Sequence, residues 1–82
     1  MRKFVIKDSY YFEVKEMQGR FVIIPNEDNI FILKEILEDD KKNFHHAYID
    51  IFVNTQIPLS WIKKEFIQDE EFVEKYHPEY LI

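Results

Sequence analysis

The chain has 82 residues, 46% of them hydrophobic and 17% aromatic, with a formal net charge of −5 and no cysteine. That length suits one domain, because folds of this size bury only about 60–65% of the surface their unfolded chain exposes. The missing cysteines exclude a disulfide framework or a thiolate metal site and point to a cytoplasmic location.

Charge is unevenly spread. Met1 to Pro25 carries five basic and three acidic residues, Asn26 to Asn54 three and seven, and Thr55 to Ile82 three and six. Phosphate repels the acidic part, so direct nucleic-acid binding is not expected. A protein with a basic or mixed surface is the expected partner. No stretch approaches the roughly 18 consecutive apolar residues of a membrane span, and the first residues lack the apolar run of a signal peptide. Ala47 is the only alanine and Gly19 the only glycine among many Ile, Lys, Phe, Tyr and Asn residues, a bias that fits A/T-rich coding DNA such as that of low-GC bacteria and their phages.

Lys3 to Lys7 is β-favouring, and Asp8-Ser9 supplies turn chemistry after it. From Tyr10 to Lys15, Tyr10, Phe12 and Val14 alternate with Tyr11, Glu13 and Lys15, the period of a second strand. Gln18-Gly19 then predicts a hairpin turn into a third strand, Arg20 to Ile24, which Pro25 stops because it has no amide hydrogen for a ladder.

Asn26 can cap a helix, with Glu27 and Asp28 opposing the positive end of its dipole. Ile30, Leu33, Ile36 and Leu37 recur at helical spacing, and the pattern fades near Lys42-Asn43. Between Phe44 and Val53 the period returns to two, with Ala47, Ile49, Ile51 and Val53 on one side and His46, Tyr48, Asp50 and Phe52 on the other, so a fourth and longest strand is expected. Pro58 or Ser60 opens a short helix containing Leu59, Ile62 and Phe66, and Asp69 caps a last one that His77-Pro78 ends. The order β-β-β-α-β-α-α predicts a single α+β domain over residues 1–82: a small antiparallel sheet of about four strands with helices packed on one face.

Chemistry has little to draw on. Phosphate-cradling loops need several glycines, so no nucleotide cofactor is expected. His45 and His46 point to opposite faces of a regular strand and cannot share a metal ion from it, and His46 and Asp50 lie about 13 Å apart at ~3.3 Å per residue, too far for an acid–base pair. Ser9, Ser60 and Thr55 are the only hydroxyl nucleophiles besides tyrosine, and turns or caps account for them. The chain is therefore not expected to be an enzyme, nor to hold a metal.

Two features point to binding. Tyr48 and Phe52 flank Asp50 on the outward side of the fourth strand, where either the terminal helices or another molecule must cover them. Glu35, Glu38, Asp39 and Asp40 gather toward the end of the first helix, where negative charge opposes the dipole. With Glu70, Glu71 and Glu74 they can face a basic groove as nucleic-acid-mimicking inhibitors do, although a charge run of this kind is more often a solvated helix face. The expectation is a non-catalytic protein-binding module: a small acidic inhibitor, an immunity-type protein, a regulatory protein or a phage antagonist. The alternative is a homodimer formed through the Tyr48/Phe52 face.

Overall fold

A computed structural model of the chain describes residues 2–38 and 56–82. Strands β1 (Lys3–Lys7) and β2 (Tyr10–Glu13) pair antiparallel, with Lys7 opposite Tyr10 across the Asp8-Ser9 turn. Asp8 takes a φ of 55°, a left-handed conformation that its short polar side chain tolerates better than most. Strands β3 (Lys15–Met17) and β4 (Arg20–Ile23) form the expected hairpin, with Gln18 at φ 54° and Gly19 at φ 78°. Two successive left-handed residues match the twist of the flanking strands, which is why the lone glycine stands here.

The second predicted strand is divided at Val14. Its amide still donates to the Lys3 carbonyl at 3.0 Å, after which the chain leaves β1 and takes β4 as its partner. One bent strand thus serves two sheets. Their orders are β2-β1-β6 and β3-β4-β5, all antiparallel, with β5 at Ile57–Pro58 and β6 at Ile67–Asp69. The α+β class holds, but the single sheet of about four strands is replaced by two three-stranded sheets. The expected strand from Phe44 to Val53 lies outside the described residues.

Helix α1 (Ile30–Ile36) is shorter than its periodicity suggests. Asn26 caps a turn instead of the helix: its Oδ1 accepts from the amides of Asp28 at 2.9 Å and Asn29 at 3.2 Å, so Glu27 and Asp28 precede the helix. At the other end Leu37 turns extended and bridges to Ile62, while the Lys63 amide donates to the Ile36 carbonyl at 2.8 Å and the Glu38 amide to that of Trp61 at 3.0 Å. These bonds satisfy groups that a further helical turn would have used, and tertiary pairing overrides propensity.

The helix expected after Pro58 becomes two 3₁₀ turns, Leu59–Trp61 and Lys64–Phe66. Ile62 between them is held extended by its bridge to Leu37, and a continuous helix would lose that contact. Helix α2 (Glu70–Tyr76) forms as predicted, with the Asp69 Oδ1 accepting from the Phe72 amide at 2.9 Å; such a cap contributes about 1 kcal/mol. It ends before His77, and Pro78 opens a last 3₁₀ turn through Leu81.

The main core gathers Val5 and Phe12 with Ile23, Ile32, Leu33, Ile36, Leu37, Ile57 and Ile62. Strand alternation sends Val5 and Phe12 to the α1 side, where Tyr10 also meets Phe31 edge to face at 5.1 Å. Phe4 and Tyr11 point the other way. Phe4 is fully buried on that side, where α2 lies against β1 and Tyr80 stacks on Tyr11. The helical segments therefore cover opposite faces of the first sheet, because β1 is apolar on both sides.

Candidate functional site

Of the residues singled out by sequence, Tyr48, Asp50, Phe52, Asp39 and Asp40 lie outside the described residues, and with them the Tyr48/Phe52 face and two of the four carboxylates gathered toward the end of the first helix. Glu35 is exposed on α1. Glu38 is half-buried and lines a cleft.

That cleft has a volume of about 490 Å³, and its floor and walls are apolar: Phe21, Pro58, Leu59, Ile62 and Ile67. Pairing register builds it. Val22 sits opposite Pro58 and is buried, while Phe21, opposite Glu16, remains 47% exposed. The first 3₁₀ turn carries Leu59 past β5, and Ile62 returns to the core beneath. Arg20, at the start of β4 just beyond the Gly19 turn, and Lys64 bring positive charge to the rim, with Glu38 and Ser60 on the same lining. Among the described residues neither Arg20 nor Lys64 forms an ion pair.

Phe21 is also a wall of a second, smaller cleft of about 350 Å³ with Arg2, Lys3, Val14, Glu16 and Glu70. The Lys3 ammonium sits 5.1 Å from the Phe21 ring centroid, close enough for a cation–π contact. Arg2 is committed elsewhere, donating to Glu13 at 2.9 Å. Among the described residues, Arg20 and Lys64 of the first cleft have neither an ion pair nor a ring contact.

On the opposite side of the first sheet, the rings of Tyr11 and Tyr80 stack at 3.9 Å and those of Tyr80 and His77 at 4.9 Å. Burial raises the Tyr80 phenol above its ordinary 10.0, with Glu79 and then Tyr11 adding to the effect. His77, with its Nδ1 3.8 Å from Glu79, is the one described histidine and is occupied in this stack. These rings fasten the C-terminal turn to β2. Among the described residues no three His, Asp or Glu side chains gather as metal ligands would, and no helix is long and apolar enough to cross a membrane.

No family model, curated protein or solved structure matches the chain. The functional reading therefore rests on its own residues. Sequence reasoning missed Phe21, Leu59 and Ile67 as surface-forming residues. In Arg20-Phe21-Val22-Ile23-Ile24 every residue after Arg20 is apolar, so a period of two gives no sign of which side faces water.

Proposed function

We propose that the chain is a non-catalytic module that binds another protein, as a small acidic inhibitor, immunity-type protein or regulator. The observation that carries this reading is the apolar cleft walled by a half-exposed Phe21. A large ring left in contact with water beside apolar floor residues gains free energy when a partner covers it, and aromatic residues contribute disproportionately to protein interfaces. The polar groups on the cleft are two cations, one carboxylate and a serine, an arrangement suited to recognition at a charged rim. The whole chain carries a net charge of −5, so a basic or mixed protein surface is the natural counterpart.

Affinity capture from the native source, using the wild type beside Phe21→Ser, tests the reading. Phe21 is exposed, so the variant is expected to keep its circular dichroism spectrum while losing most of the captured partner. Should the wild type retain no specific protein at physiological salt, the proposal fails.

A further inference from the structure

We propose that the cleft beside Phe21 receives an apolar side chain from a partner protein segment that carries a carboxylate on one flank. The inference rests on the protein-binding reading and specifies the chemistry of the contact. The floor of Pro58, Leu59, Ile62 and Ile67 offers no charge to a guest, so what enters is apolar. A small-molecule site encloses roughly 70–90% of its ligand, whereas this cleft is walled by a ring that is itself 47% exposed. Such an open site suits one side chain presented on a larger surface.

The rim decides the flank. In a chain with 16 acidic and 11 basic residues, two cations on one cleft remain without an ion pair among the described residues. A carboxylate brought to Arg20 or Lys64 gains a charge-assisted hydrogen bond without breaking an existing pair. Glu38, on the same lining, repels a segment that is acidic on both sides of its anchor. One flank is therefore acidic and the other neutral or basic. Pro58 has no amide hydrogen to give, so at that position an added strand would find no main-chain donor, and side chains carry the recognition.

The test uses labelled synthetic peptides with a central Trp-Leu anchor and two glutamates on one flank, in both orientations. Matched peptides carry lysines in place of the glutamates, or on both flanks glutamates. Fluorescence anisotropy gives affinities, and amide shifts of the isotopically labelled protein give the site. One single-flank acidic peptide is expected to bind about ten-fold tighter than its lysine counterpart, the equivalent of one charge-assisted bond. Its preference should shrink at high salt, shifts should centre on Phe21, Leu59 and Ile67, and Arg20→Glu with Lys64→Glu should invert the order. Equal affinities, no binding, shifts elsewhere, or a preference that survives the double reversal each overturn the proposal. The same double variant in the capture experiment separates the two readings: a partner that Phe21→Ser loses but the charge reversal retains leaves the binding module standing and removes the acidic flank. Loss from both variants supports it.

Discussion

Tyr80 lies between Tyr11 and His77, and its phenol is raised above the ordinary 10.0 first by burial, then by Glu79 and Tyr11. The native state therefore holds this proton at pH values where the unfolded chain releases it. When the unfolded state binds fewer protons, stability falls as pH rises. The contribution is fully present below the unfolded value and is lost as pH climbs through the higher folded value. Melts taken from about pH 8 to about pH 11 should show the wild type losing stability past its ordinary phenol value more steeply than Tyr80→Phe, which keeps the ring but cannot ionise. Parallel curves would remove Tyr80 as the source. At this same scale the cleft beside Phe21 was only partly legible. Sequence put Glu38 on a helix face, yet the helix stops at Ile36 and Glu38 reaches the cleft from an extended segment. Phe21 could not be told from Val22 until strand register placed them opposite Glu16 and Pro58.

Elements whose geometry is decided by adjacent residues were readable, and those decided by distant ones were not. Gln18-Gly19 and the Asp69 cap belong to the first kind, since left-handed backbone and an orphan amide are settled within a few residues. The end of α1, the broken helix around Ile62 and the existence of β6 belong to the second. Each depends on a partner far along the chain, Leu37 on Ile62 and Lys3 on Asp69. The hairpin supplies a test of its own local logic. Gln18 adopts φ 54° without being glycine, and asparagine visits that region more readily, so Gln18→Asn should stabilise by about 0.5 kcal/mol and raise Tm by roughly 2–4 °C. Gly19→Ala should instead destabilise by about 1 kcal/mol. Nothing lies within 4 Å of a Cβ added there, so that loss reports backbone conformation and not a clash. A neutral Gly19→Ala in thermal melts would mean the turn is not left-handed.

At the scale of the whole molecule, β1 decides how the parts cooperate. It pairs with β2 beside it in sequence and with β6 near the other end of the chain, while the bent strand through Val14 hands the first sheet to the second. The main core draws Val5 and Phe12 from one sheet and Ile23 and Ile57 from the other, so neither can open without exposing apolar side chains of both. Two independent units would need two cores. The chain should therefore unfold in one step, and native-state hydrogen exchange can show it: the best-protected ladder amides of β1 and β4 should open with one common free energy. That value should equal the unfolding free energy reported by the fluorescence of Trp61, the single tryptophan, which packs against the main core. If β1 amides exchanged at a markedly lower free energy than those of β4, the closure of β1 on β6 would be a separate, weaker event, and the shared core would not be what binds the two sheets into one cooperative unit.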